Sequence, residues 1–277
     1  MRAPEKGLSG DSTWTRLVAL MEQVSFSAHN IRLDDGTFTR PDSGFEMAHH
    51  PRFLSAKRVV SLLFPGDKSS FSILDLGCLE GGYTVEFARL GFRSLGLEVR
   101  ASNFAACQYV KERVRLPNLS FVRDDAWNAP RYGAFDVVFC CGLLYHMDRP
   151  RTFLETISGI ARRALIVQTH FATDRPSEKF HLSEIATHDG ADGRWYTEYT
   201  GAPDTAAKET AKWSSWDNTR SFWMTRPWIL QSLLDRGFDV VFEQFDGLAP
   251  SIVESMMSGY HHTDDRGTFV GIRTIAS

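Results

Sequence analysis

Cysteine is scarce in this 277-residue chain: Cys78, Cys107, Cys140 and Cys141 are the 4 thiols. They have neither the number nor the spacing of a disulfide framework or a thiolate metal site, so no metal is expected. Cys140 and Cys141 are adjacent inside an apolar run, where reduced thiols act as small hydrophobes. No apolar run is long enough to cross a bilayer. The opening MRAPEKGLSGDSTW lacks the apolar stretch of a secretory leader. A cytoplasmic location without membrane attachment is therefore the expectation. An excess of one charge is also missing, since 31 Lys and Arg stand against 34 Asp and Glu for a net charge of -3. Without a dense basic stripe, a nucleic-acid backbone is disfavoured as a partner.

What the chain does have is an ordinary globular composition, 43% hydrophobic and 23% charged, at a length that can bury its own core. After a small, polar start, residues 14 to 24 read as a short amphipathic helix. The stretch from Phe26 to Met47 reads as extended pieces and loops, with turn signals at Asp35-Gly36 and Pro41-Asp42. His50 to Phe64 reads as a helix, opened near Pro51 and stopped by Pro65-Gly66. Residues 1–50 are thus expected to be an extension or cap, and 51–277 the main domain.

From residue 71 short apolar runs alternate with helical segments. The runs are SILDLG (72–77), SLGLEV (94–99), LSFVRD (119–124), FDVVFCC (135–141) and ALIVQTH (164–170). Helices are expected near 82–90, 102–114 and 151–162. This alternation predicts an α/β fold, a Rossmann-like and mostly parallel sheet with helices on both faces. The rhythm stops after His170. The next fifty or so residues lack clear periodicity but are rich in aromatics, which suits a lid insertion at about 171–223 better than disorder. Thr225, Pro227 and Gly237 then frame a helix, and DVVFEQF and GTFVGIRTI read as late strands.

Three features carry chemistry. ILDLGCLEGGYT follows a strand and opens a helix. Gly77 permits a tight turn, and Gly81 and Gly82 permit close approach of a ligand. Glu98 ends the next strand, where a carboxylate can accept from both ribose hydroxyls and disfavours a ribose phosphate. RDDAWN ends the strand after that. Asp125 could accept from an adenine amino group, with Ala126 and Trp127 flanking the ring. Taken singly, these are a strand-to-helix turn, a solvated strand end and a helix cap; together they describe a nucleoside site.

With these residues, the segment from about 70 to 170 resembles the class I S-adenosylmethionine-dependent methyltransferases. Asp75 and Gly77 match the start of that family's glycine-rich motif and Gly81 its last glycine. Glu98 matches its ribose-binding acid and Asp125 its adenine-side acid. The resemblance implies S-adenosylmethionine as cofactor, with Cys78, Leu79 and Cys141 also in the cofactor site. It implies a seven-stranded sheet whose last strand is antiparallel. One position departs from the pattern: Leu79 stands where the family has its middle glycine, followed by Glu80, which could reach toward the aminoacyl end.

FDVVFCCGLLYHMDRP resembles the family's fourth-strand motif, after which the methyl-transfer site is lined. His146 is thereby the first candidate for a general base, and His170, at the end of the fifth strand, the second. Tyr83, Tyr145, Trp213, Trp216 and Trp223 are candidates for the acceptor pocket. The pairs His49-His50 and His261-His262 are poor chelates, because neighbours on an extended chain face opposite ways. They are expected to sit in exposed loops. The leading expectation is methylation of an oxygen or nitrogen atom on a small molecule, in specialised biosynthesis. A weaker similarity, to enzymes that alkylate the wobble uridine of tRNA, gives the second. Leu79 leaves open a third, a non-catalytic module that binds the cofactor for a partner. A homodimer is compatible with the sequence.

Overall fold

The computed structural model describes residues 24–177, 179–245, 251–257 and 265–274. The helix expected over 14–24, Val24 apart, and the His261-His262 pair lie outside the described residues. Seven strands form one sheet: β1 (Ser72–Leu76), β2 (Arg93–Glu98), β3 (Leu119–Arg123), β4 (Phe135–Cys141), β5 (Ala161–His170), β9 (Val240–Gln244) and β10 (Arg266–Ile272). Their order is β3-β2-β1-β4-β5-β10-β9. β1 pairs in parallel with β2 and β4, β2 with β3, and β4 with β5. β10 runs antiparallel to both β5 and β9, so it alone is reversed. The strand order changes direction between β1 and β4, which opens a crevice at the carboxyl ends of the strands.

Both faces of the sheet are covered, which is why the strands read as continuous apolar runs rather than alternating ones. Ile73, Val137, Phe139, Ile166 and Val270 face one core. It is completed by Phe53, Val59 and Val60 of α1 (Pro51–Leu63), Val85 and Phe87 of α2 (Gly82–Arg89), and Val110 of α3 (Ala101–Arg113). Leu74, Leu76, Val138, Cys140, Leu165 and Val167 face the other. There they meet Phe153 and Ile157 of α4 (Pro150–Ser158) and Ile229 and Leu233 of α6 (Arg226–Asp235). Among the described residues no helix is long and apolar enough to cross a membrane.

The insertion is more ordered than its sequence suggests. It contains β6 (Ala186–His188), β7 (Ala191–Thr197) and β8 (Arg220–Met224), paired as an antiparallel sheet in the order β6-β7-β8, and the one-turn helix α5 (Thr205–Thr210). The strand signal of β7 is broken by Gly193, and glycine inside a strand weakens its propensity. That glycine is required by packing, since an added Cβ would stand 2.2 Å from the Trp223 carbonyl oxygen. The insertion docks on the turn after β4: the Phe222 N–H donates to the Met147 carbonyl at 2.9 Å and the Asn218 amide to the His146 carbonyl at 2.8 Å.

Asp75, at the centre of β1, is 2% exposed and its carboxyl is pushed up to about 7 by burial, against the 2.6 Å hydrogen bond donated by Thr84. An acid whose folded value is raised contributes stability below its unfolded value, and this is lost as pH rises through the folded one. Stability is thus expected to fall by about 1 kcal/mol between pH 6 and 8 on account of this group. Asp75→Asn should flatten that segment of the pH profile, as read by urea unfolding at each pH.

Candidate active site

The loop between β1 and α2 holds three successive left-handed positions, Gly77 at φ 65°, Leu79 at φ 54° and Gly81 at φ 84°. Gly81 has no room for a side chain: an added Cβ would lie 2.6 Å from Cζ of Phe121. Leu79 occupies the conformation that glycine adopts freely, at a cost of about 1 kcal/mol for a residue with a Cβ. The loop therefore keeps its shape despite the departure from the glycine pattern. The Leu79 N–H donates to Oε2 of Glu98 at 2.9 Å, which fastens the loop to the end of β2.

Glu98 is 4% exposed. Its Oε1 accepts from the Arg100 N–H at 2.9 Å and, more weakly, from the Asn103 amide at 3.4 Å. Burial pushes its carboxyl upward, and these donors oppose the shift. Each carboxylate oxygen has two acceptor sites, so Glu98 can still accept from a ligand. Asp125 lines the same cavity, and its Oδ1 accepts from the Trp127 N–H at 2.9 Å, capping the short 3-10 helix Ala126–Tyr132. Asp125 is thus a helix cap and a cavity wall at once, its carboxyl raised chiefly by burial. Asp124 is held by the Tyr132 hydroxyl and the Asn128 amide.

These acids line one side of a cavity of about 430 Å³, a size ordinary for a small-molecule site. Two segments remote in sequence wall it. The first is residues 27–29, clamped by Glu80. The Glu80 carboxylate is fully buried and accepts from the N–H groups of Ser27, Ala28 and His29 at 2.6, 3.1 and 2.7 Å, and from the Ser27 hydroxyl at 2.8 Å. His29 is depressed to about 4, first by burial, and its neutral Nδ1 accepts from the Gly82 N–H at 3.0 Å. Glu80 is therefore a strap anchor rather than a group reaching the ligand. Glu80→Ala would orphan several buried N–H groups, and a loss of about 2 kcal/mol in stability is expected. Limited proteolysis should then cut near 27–29 first; unchanged thermal unfolding and cleavage would refute the anchor.

The second wall is the stretch 212–218, following α5. Arg100 organises it: Nε donates to the Lys208 carbonyl at 2.9 Å, and Nη2 to those of Ala211 and Ser214 at 2.9 and 2.6 Å. Glu209 returns the contact by accepting from the Ala101 N–H at 2.8 Å. Trp213 and Trp216 both line the cavity, and Trp213 is 65% exposed at its rim.

Toward β4 the lining changes to Cys141, Gly142, Tyr145 and His146. Nδ1 of His146 lies 2.8 Å from Oε1 of Glu198, whose side chain is 1% exposed. Glu198 also accepts from the Ser221 hydroxyl at 2.8 Å and the Ser215 N–H at 3.0 Å. A carboxylate in that position holds the proton on Nδ1 and leaves Nε2 as the basic nitrogen of the imidazole.

Of the residues singled out from sequence, Gly77, Leu79, Tyr83, Glu98, Asp125, Ala126, Trp127, Cys141, Tyr145, His146, Trp213 and Trp216 line this one cavity. Asp75 in β1, and Cys78 and Gly81 in the loop itself, shape the loop without lining the cavity. His170 and Trp223 stack on each other, ring centroids 4.9 Å apart and planes 13° apart, behind Tyr145 and off the cavity wall. The expectation of two exposed loop histidines at 49–50 is corrected for His50. It caps α1, lies 3.3 Å from the Tyr83 hydroxyl and lines the cavity. Glu198, Arg100, Arg52 and Arg266 carried no motif, since each reaches the site through tertiary packing alone.

Residues 74–164 match the family model described as a methyltransferase domain. A ubiquinone biosynthesis O-methyltransferase from Albidiferax ferrireducens is 27% identical over 92 residues, which is 32% of this chain and 36% of that protein. The chain thus matches about a third of that relative's length. Among solved structures, the N-terminal domain of EvdMO1 with SAH bound superposes with a TM-score of 0.61 at 21% identity, covering 96% of this chain and 98% of that one. The sugar N-methyltransferase KedS8 from Streptoalloteichus superposes with a TM-score of 0.51 at 15% identity, covering 99% and 98%. At these identities the structural likeness establishes the fold.

Proposed function

We propose, from the premise that residues 74–164 form the core of a class I S-adenosylmethionine-dependent methyltransferase, that this protein methylates an oxygen or nitrogen atom of a small molecule seated beside His146. The observation that carries this reading is a single cavity lined both by a nucleoside-type acid pair, Glu98 and Asp125, and by His146, whose ring is held by Glu198. A sugar N-methyltransferase and a ubiquinone biosynthesis O-methyltransferase among the similar proteins support a small-molecule acceptor.

The residues fit the cofactor. Glu98 keeps acceptor capacity at Oε2 for a ribose hydroxyl, Asp125 and Trp127 line the cavity as candidates for the adenine side, and Gly77 lines it as the candidate for close backbone approach. When bound, S-adenosylmethionine supplies a methyl group on a positively charged sulfur, an electrophile that needs no further activation. The protein's task is alignment and exclusion of water. The strap at 27–29 and the wall at 212–218 enclose the cavity from two sides, tied by Glu80 and Arg100. His146 takes the proton from an acceptor hydroxyl or ammonium at Nε2, while Glu198 fixes the tautomer and stabilises the imidazolium that forms. Titration calorimetry with S-adenosylhomocysteine (SAH) tests the reading. Binding in the micromolar range is expected, and no heat at millimolar ligand would refute it.

A further inference from the structure

The cavity carries charges of both signs. Its acids, Glu98, Asp124, Asp125 and Asp217, lie at the ends of β2 and β3 and in the wall at 212–218, where Arg100 is engaged with the carbonyls of Lys208, Ala211 and Ser214 and Lys212 lies 3.9 Å from the Glu80 carboxylate. Arg52 and Arg266 enter from α1 and from the start of β10. Arg266 pairs in register with His170 at the end of β5, so it stands on the far side of β4 from Glu98. Four strand steps separate β2 from β10, roughly 19 Å of backbone. The guanidinium returns toward the cavity. Nη2 donates to Oε1 of Gln168 at 2.8 Å, Nη1 lies 3.4 Å from Nε2 of His170, and the group sits 5.4 Å from the Tyr145 ring centroid. Nη2 lies against Gly142, where a Cβ would stand 3.5 Å from it, an ordinary contact distance.

The buried Nε of Arg266 has no hydrogen-bond partner among the described residues. A guanidinium is always charged and presents a planar fork matched to a carboxylate. Arg52 adds a second cation on the cavity wall, bonded to the Tyr83 hydroxyl. His50 is depressed to about 4, first by burial, then by Arg52, with His29 and Arg266 acting in the same direction. A cavity wall with two fixed positive charges, that of Arg266 beside Gly142 and Tyr145 in the turn after β4, has the electrostatics of an anion receptor.

We propose that Arg266, supported by Arg52, binds a carboxylate on the methyl acceptor, so that the substrate class is a hydroxylated or amino-bearing organic acid. The inference rests on the methyltransferase reading, and a carboxylate could also come from the amino-acid tail of the cofactor. The experiment separates the two sources. SAH binding to wild type and to Arg266→Met is measured first by calorimetry. The SAH-loaded proteins are then titrated with two matched pairs, 3,4-dihydroxybenzoate against its amide and glucuronate against glucuronamide.

The expected result is that at least one acid binds wild type about tenfold more tightly than its amide. In Arg266→Met that preference should shrink to about twofold or less while SAH affinity is preserved. Equal affinity within both pairs, no binding by either acid, or a preference that survives in Arg266→Met overturns the proposal. A tenfold or larger loss of SAH affinity in Arg266→Met also overturns it, by assigning the arginine to the cofactor's tail. The wild-type comparison of acid with amide holds even if the variant fails to fold. Failure of SAH to bind wild type refutes the methyltransferase reading itself, a separate outcome from SAH binding without acid preference.

Discussion

Glu98→Ala is expected to weaken SAH binding by about 100-fold. A carboxylate that accepts from a ligand hydroxyl contributes roughly 1.5–3 kcal/mol, and each 1.4 kcal/mol is about a factor of ten. The effect should fall at the upper end because Glu98 also holds the loop that lies against the ligand. Its Oε2 accepts from the Leu79 N–H and its Oε1 from the Arg100 N–H. Without it, Leu79 keeps its left-handed strain at φ 54° and loses the bond that offsets it. Glu98→Gln should not rescue affinity, since its amide NH₂ would face one of two backbone donors. Calorimetry gives the affinities, and circular dichroism shows whether the variants stay folded. A folded Glu98→Ala protein with wild-type affinity would remove the ribose from this position.

That residue was legible because its signal is local. A carboxylate ending the strand after a glycine-rich turn is visible in a window of about thirty residues, and so are the five parallel strands, whose apolar runs are set by burial on both faces. The departures from expectation share a different cause. Glu198 is 52 residues from His146 and lies in a segment with no regular period. Arg100 acts on carbonyls more than 100 residues away. Arg266 opens a strand that reads only as a late strand, and its position beside Gly142 follows only from the reversed pairing of β10 with β5. The insertion hid its strands because Gly193, demanded by the Trp223 carbonyl, interrupts the strand pattern. Leu79 departs from the glycine pattern, and the chain accepts its left-handed conformation and keeps the loop.

His146→Ala is expected to lower turnover by about 10² to 10⁴-fold, the range for loss of a positioned general base, while SAH affinity stays within about twofold of wild type. The separation follows from place. His146 lies in the turn after β4 and its ring is held by Glu198 rather than by Glu98 or Asp125, so its removal is expected to leave the nucleoside contacts intact. Glu198→Gln should reproduce part of the loss with His146 still present. A glutamine can turn its NH₂ toward Nδ1, move the ring proton to Nε2 and remove the basic nitrogen from the acceptor. It would also spoil the bonds from Ser215 and Ser221 that fix Glu198. Turnover is read as SAH release with an acid accepted in the binding screen. If His146→Ala retains the wild-type rate on an acceptor hydroxyl, proton removal does not pass through the imidazole, and the His146–Glu198 pair is a structural tie between the insertion and the β4 turn.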